Sequence, residues 1–235
     1  MQRAFLQAHW SHVAILSYAV PSDILKPHLP RGCEIDTHRD QAWASLVAFD
    51  FDEVKVKGWK IPFHHSFPEV NLRFYVRHGK DRGVCFIREF VPKRLIAWVA
   101  SYVYNEPYSA VPMSSDVHRL PDGIQVEHKI KAAGHTQKIT IATTKDPPLL
   151  PTPDSEDAWF KEHEWGFGRD TKGRTLKYRV AHPQWLTYRV SWHEIKMDWK
   201  RVYGPQWGIL KGAKPASVIL AEGSPVTVFQ SATIG

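Results

Sequence analysis

Lysine attacks carbon only as a neutral amine, and one lysine in this chain has neighbours that would favour that form. The segment Arg88-Glu89-Phe90-Val91-Pro92-Lys93-Arg94-Leu95 leaves a strand-like run and opens an apolar, helix-like one. A free lysine has a pKa near ~10.4 and is almost wholly protonated at neutral pH. Burial, a neighbouring cation and the partial positive charge of a helix start each lower that value. Lys93 has Arg94 beside it, and Leu95, Ile96 and Val99 recur on the next apolar face. A neutral Lys93 would attack the carbonyl of a small keto acid or aldehyde, and the protonated imine would draw off electrons during bond cleavage. A solvated Lys-Arg pair, held by Glu89 or Glu106, is the plainer reading of the same spacing.

Other chemistries find fewer residues. The chain has thirteen histidines, but none lies in an HExxH arrangement, and its two cysteines form no CxxC. His9 and His12 in a regular strand point to opposite faces, as do His64 and His65. The histidines therefore read as hydrogen-bonded or exposed, and no metal is expected. His65 stands out because it lies in a loop, 62–68, that leads into a strand at Glu69. There is no GxSxG and no phosphate loop. Gly166-Phe167-Gly168 reads as packing around a turn rather than as a nucleotide motif, since β-α-β alternation is missing.

Strands must do most of the positioning. Residues 42–51 are strand-like, and 70–77 alternate Val70, Leu72, Phe74 and Val76 with Asn71, Arg73, Tyr75 and Arg77. A turn at 77–83 and a run at 84–90 make this a hairpin. A second hairpin joins 124–131 to 137–143. Further strands are expected at 174–180, 184–192, 217–221 and 225–229, with Pro225 at a strand start. Helices are fewer: a short one capped by Ser22 and running to Leu29, one over 92–104 with Pro92 in its first turn, and short ones at 154–163 and 197–203. The proline-rich stretch 146–154 is an extended connection inside one domain. The segment 162–169, with Trp165 and Phe167, is expected to close one end of the structure. The fold class is mainly β: a curved antiparallel barrel or cone with a few short helices, forming a single domain over residues 1–235.

The chain has 235 residues, 43% of them hydrophobic, and a net charge of +7. Its basic residues are scattered, so nucleic acid is not an expected partner. No apolar run is long enough to span a membrane, and no signal peptide is visible. Cys33 and Cys85 read as reduced, buried thiols of a cytoplasmic protein.

Blocks spread along nearly the whole chain resemble the family called domain of unknown function 2071, or YqjF-like. They are FLQAHWSHVAILSYAVPSDILKPHLP, PFHHSFPEVNLRFYVR, GVCFIREFVPKRLIAWVASYVYNEPY, EHEWGFGRD and AEGSPVTVF. That family is similar in turn to the acetoacetate decarboxylase-like superfamily, which implies the curved barrel or cone. In the decarboxylases an Arg-Glu pair precedes a Pro-Lys-Lys-Leu segment whose first lysine forms the Schiff base beside a second cation. The resemblance lays Arg88-Glu89 on the pair and Pro92-Lys93-Arg94-Leu95 on the segment, with two residues fewer between them. Glu69 matches a glutamate that begins an upstream strand. Two positions depart. Ala19 stands where the decarboxylases place a carboxylate-binding arginine after the tyrosine matched by Tyr18, which argues against acetoacetate as substrate. Arg94 replaces the second lysine and keeps its charge. Relatives often carry arginine at the place of Lys93, and arginine forms no imine.

Two functions follow as expectations. One is a small-molecule-binding protein with an enclosed pocket, anchored by Arg73, Arg88, Glu89 and His65, for an anionic or carbonyl-bearing ligand. The other is a Schiff-base lyase or decarboxylase-like enzyme with Lys93 as nucleophile, Arg94 tuning it and Glu69 moving a proton. Neither requires a cofactor, and self-association is left open.

Overall fold

Period-two patterning becomes two largely antiparallel sheets in the computed structural model, which describes residues 3–60, 65–95, 105 and 107–234. The chain runs through β1 (Ala4–Ala19), β2 (Glu34–Ile35), β3 (Trp43–Val56), β4 (Trp59–Lys60), β5 (Phe67–His78), β6 (Asp81–Val91) and β7 (Tyr108–Ala110). Next come β8 (Met113–Leu120), β9 (Gly123–Ala132), β10 (His135–Thr143), β11 (Trp165–Arg169) and β12 (Thr175–Ala181). β13 (Thr187–Tyr188), β14 (Val190–Lys196), β15 (Ser217–Phe229) and β16 (Ala232–Ile234) finish it. The small sheet has the order β14-β10-β9-β8, and the large one follows β13-β15-β1-β3-β5-β6-β11-β12-β16.

The large sheet curls back on itself. Val180 pairs with Val228 and Ala181 with Thr227, which brings β12 against β15. β11 supplies the other thin joint, a two-residue parallel pairing of Trp165 and Gly166 with Gly83 and Val84 of β6. The result is a curved, nearly closed sheet rather than a regular barrel. At the β11 joint a Cβ on Gly83 would lie 2.2 Å from the Trp165 carbonyl oxygen, and one on Gly166 would lie 2.2 Å from the Tyr178 ring. The glycines of 166–168, expected at a turn, therefore sit in a strand, and Gly166 is where the close approach requires one.

Both faces of this sheet are packed. Leu46, Val70, Leu72 and Phe74 meet Val126, Ile130, Ile139 and Ile141 of the small sheet, together with Trp199, Trp207 and Leu210. A ring of about seven strands has room inside for side chains but not for a second sheet. The face covered by the small sheet is therefore the outer one. The inner face carries Ile15, Trp43, Val47, Phe49, Tyr75 and Val84 and is closed by Phe160 and Trp185.

Several expectations shift by a physical reason. The region 217–229 is one strand, with Pro225 in its middle opposite His9. This is tolerated because the other edge of β15 pairs only at 220–221 and 227–228, leaving no donor needed at 225. Residues 184–192 yield only β13 and the start of β14. The segment 22–28 forms two 3-10 turns, Ser22–Ile24 and Lys26–His28, whose leading residues make no side-chain cap. Helix α1 (Glu156–Lys161) is capped by Ser155, whose side chain accepts from the Ala158 N–H, and α2 (Trp199–Tyr203) by Asp198 in the same way from Arg201. Of the helix expected over 92–104, Arg94 and Leu95 are helical, and 96–104 lie outside the described residues. Cys33 and Cys85 are buried and are not joined in a disulfide. No helix among the described residues is long and apolar enough to cross a membrane.

Candidate functional site

β5 alternates cleanly, so Val70, Leu72, Phe74 and Val76 go to the outer core while Glu69, Asn71, Arg73 and Tyr75 line up on the inner face. Pairing adds to this row. Asn71 lies opposite Glu89 of β6, and Glu89 opposite Tyr108 of β7. Asn71 Nδ2 donates to Glu69 Oε1 at 2.9 Å, and the Tyr108 hydroxyl donates to Glu69 Oε2 at 3.2 Å. The same hydroxyl is within hydrogen-bonding reach of Glu89. Glu69 and Glu89 are 3% and 1% exposed, so two carboxyl groups share one phenol in a dry setting. Burial raises the Glu69 carboxyl to about 7, against the pull of its two donors. Burial and the adjacent Glu69 and Glu89 charges push the Tyr108 phenol well up. A carboxyl poised near neutrality can give or take a proton, the requirement for general acid–base work.

The other end of the row is basic. Arg73 donates to the Phe160 carbonyl at 3.0 Å and lies 5.9 Å from the Tyr75 ring centre. The Tyr75 hydroxyl reaches the same carbonyl at 3.3 Å and meets Ser45 Oγ at 2.6 Å, which in turn meets Ser17 Oγ at 2.7 Å. His163 stacks near Tyr75 with ring centres 4.9 Å apart. Burial, then Arg73, Arg82 and His182, hold its imidazole well below the usual range, so it is neutral. Arg73 Nε, both His163 ring nitrogens and Asn71 Oδ1 are buried without a hydrogen-bond partner among the described residues.

Of the residues singled out in the sequence, Glu69, Glu89 and Arg73 share this inner face. Arg88 leaves by the outer face, opposite Leu72, and donates to the Val202 carbonyl at 2.6 Å. His65 is exposed, and its carbonyl accepts from the Val54 N–H at 3.0 Å. Lys93 is half-buried just past the end of β6, while Arg94 and Leu95 are exposed. Ala19, at the end of β1, is exposed too. The sequence reading overlooked Asn71, Tyr75 and Tyr108. The first two stood in plain alternation with Arg73. Their signal was a polar strand face that contains an aromatic and an amide beside the charges. His163 was expected to be hydrogen-bonded or exposed and is neither among the described residues.

The chain belongs to the family described as uncharacterized conserved protein (COG2071), whose model matches residues 7–225. The uncharacterized protein YqjF of Bacillus subtilis (strain 168) is 30% identical over 183 residues, 75% of this chain and 72% of that protein. Among solved structures, the acetoacetate decarboxylase of Legionella pneumophila subsp. pneumophila str. Philadelphia 1 aligns with a TM-score of 0.68 at 13% identity, over 100% of this chain and 89% of that one. An acetoacetate decarboxylase-like enzyme from Sphingomonas wittichii RW1 aligns at 0.66 with 11% identity, over 99% and 94%. The enduracididine biosynthesis enzyme MppR complexed with pyruvate aligns at 0.62 with 13% identity, over 100% and 90%. The fold is therefore acetoacetate decarboxylase-like. At such identities the likeness extends to the fold alone.

Proposed function

We propose that this protein binds a small carbonyl compound bearing a carboxylate on the inner face of its curved sheet. Arg73 takes the carboxylate, and the Glu69–Tyr108–Glu89 group faces the carbonyl end. The observation that carries the reading is the set of buried polar atoms without partners: Arg73 Nε, Asn71 Oδ1 and both His163 nitrogens, all among the described residues. Each such atom costs about 1–3 kcal/mol when left unmet, and a polar ligand offsets that cost. An anion suits the Arg73 end, where Arg82 and His182 also act on His163. The pyruvate complex of MppR supports a keto acid as the ligand class. Arg73 also answers the missing arginine at Ala19 by supplying a cation from β5 instead of β1.

A second reading keeps Lys93 as an imine-forming nucleophile with Glu69 as its proton carrier. Its place favours it: Lys93 follows by two residues Val91, which packs in the inner-face cluster at the Glu89 end of β6. Calorimetric titration with pyruvate tests the first reading. Saturable binding in the wild type and a loss of about tenfold or more in Arg73→Gln is the expected result. No heat, or the same affinity in the variant, contradicts it. Borohydride added to the pyruvate mixture separates the two readings, since only an imine leaves a reduced adduct on Lys93.

A further inference from the structure

The small sheet ends in a strand whose outer side is unpaired. In the order β14-β10-β9-β8, β8 is terminal among the described residues. Its register with β9 is unbroken from Met113↔Ile130 to Leu120↔Gly123. Asp116, Val117, His118, Arg119 and Leu120 are all exposed, Val117 by 40% and Leu120 by 46%. Natural edges of this kind are blunted by a proline, a lysine or a bulge, and β8 has none of these. The opposite edge, β14, has a register shift beside Val190 and ends on Lys196.

One bond fixes which backbone groups of β8 are free. The Lys131 N–H donates to the Pro112 carbonyl at 2.9 Å, so residue 112 turns toward β9. By alternation Ser114, Asp116, His118 and Leu120 do the same. The N–H and C=O groups of Met113, Ser115, Val117 and Arg119 therefore point off the edge of the sheet.

The side chains of those odd-numbered residues face the large sheet. Met113 packs in the core between the sheets, and Ser115 and Val117 line a cleft of about 360 Å³ where the sheets part. Arg119 follows on the same face and acts on His12 across the cleft. The cleft also holds Asp50 and Asp52. Ser115 Oγ donates to Asp50 at 2.7 Å, and Ser11 Oγ to Asp52 at 2.8 Å. Burial raises the Asp50 carboxyl to about 6 against the Ser115 hydrogen bond, and the nearby Asp52 and Asp116 charges add to the rise. Neither of these aspartates, nor Arg119, forms an ion pair among the described residues.

We propose that β8 pairs antiparallel with β8 of a second copy of this chain, about a two-fold axis at Val117. This interface is independent of the inner-face reading. Val117 then lies opposite itself and Ser115 opposite Arg119 of the partner subunit, each pair exchanging two backbone hydrogen bonds. On the outer face Asp116, an acceptor, meets the N–H donor of the partner subunit's His118. Centring at 116, 118 or 119 would set Asp116, His118 or Arg119 against its own copy, and centring at 115 would carry 118–120 past the start of the partner strand.

The charges complement each other in the same register. Cβ atoms directly opposite lie about 5 Å apart, so Arg119 of the partner subunit comes beside Ser115 and the Asp50 carboxylate that Ser115 holds. Each copy thus supplies the cation that the other's cleft lacks. A second copy fits better than a foreign strand, because β8 carries both the free groups and their complements.

Sedimentation equilibrium of the full chain at concentrations on the order of 10–100 µM tests this, and a monomer–dimer equilibrium is expected. Val117→Pro removes an N–H that the β8–β9 ladder does not use. It should weaken association by about tenfold or more with the circular dichroism spectrum retained, and Arg119→Glu, which sets an acid beside Asp50, should do the same. Val117→Cys reads the register. Opposite Cα atoms in a hydrogen-bonded pair lie about 5.5 Å apart, within disulfide reach, so mild oxidation links two chains. Leu120→Cys, opposite Ser114 of the partner subunit, links far more slowly. A monomer throughout that range, a dimer that Val117→Pro or Arg119→Glu leaves at full strength, or equal cross-linking of the two cysteine variants overturns the proposal. Should the proline variant fail to fold, Arg119→Glu and the cysteine pair decide.

Discussion

In the proposed reading Glu69 moves the proton on the inner face, and its protonation is coupled to folding. Its carboxyl is raised to about 7 in the fold, against an ordinary value of 4.5. The folded protein therefore binds more protons than the unfolded chain between those values, and the contribution of Glu69 to stability falls as pH rises through that window. The urea midpoint of the wild type should drop relative to that of Glu69→Gln between about pH 5 and pH 7.5, because glutamine cannot ionise. Parallel pH profiles for the two proteins would show that Glu69 is not titrating near neutrality. Tyr75 is tested the same way. Its hydroxyl lies between Ser45 and the Phe160 carbonyl and is fully buried. Tyr75→Phe should cost about 1 kcal/mol in chemical unfolding by removing these two hydrogen bonds, since the Phe160 carbonyl keeps Arg73 and Ser45 keeps Ser17. A change below a few tenths would mean that the hydroxyl chain from Ser17 does not brace the inner face.

Strands, not loops, position this site, and alternation makes that partly legible. The 70–77 and 84–90 hairpin and the 124–143 hairpin stand close to where their patterns place them. Alternation also told that only one of Arg88 and Glu89 could face inward, though not which, since a bulge between Leu72 and Arg73 resets the count on β6. Bulges leave no mark in an apolar pattern, and this is why the sequence set His9 and His12 on opposite faces, whereas the bulge at His12 resets the alternation of β1. Tyr108 was equally hidden, because a three-residue strand has too few positions to show a period. β15 shows what a single glycine can decide. Gly223 has φ +88°, and a Cβ there would lie 1.9 Å from the Trp10 carbonyl oxygen across the β1 pairing. Gly223→Ala should destabilise by about 1–3 kcal/mol or more, read as a lowered urea midpoint with an unchanged slope. An alanine variant of wild-type stability would contradict the close β1–β15 approach.

Across the whole molecule, curvature is what gives the large sheet an inner and an outer face. The family resemblance anticipated the overall shape, while the thinness of its seams at β6–β11 and β12–β15 depends on glycines and long-range pairing that local patterns do not encode. The outer core draws residues from Ala14 to Leu220, on both sides of the proline-rich 146–154 connection. The chain should therefore unfold in one cooperative step. A protease cut near Pro151 that released an independently folded fragment would contradict this. The central claim is that the inner face holds a keto acid between Arg73 and the Glu69–Tyr108–Glu89 group. The most direct measurement is a crystal structure grown with pyruvate. The account predicts a molecule on the inner face with its carboxylate on the Arg73 guanidinium and its carbonyl turned toward Glu69 and Tyr108. An inner face filled by side chains and water, with Arg73 and His163 satisfied by protein groups at saturating pyruvate, would contradict it.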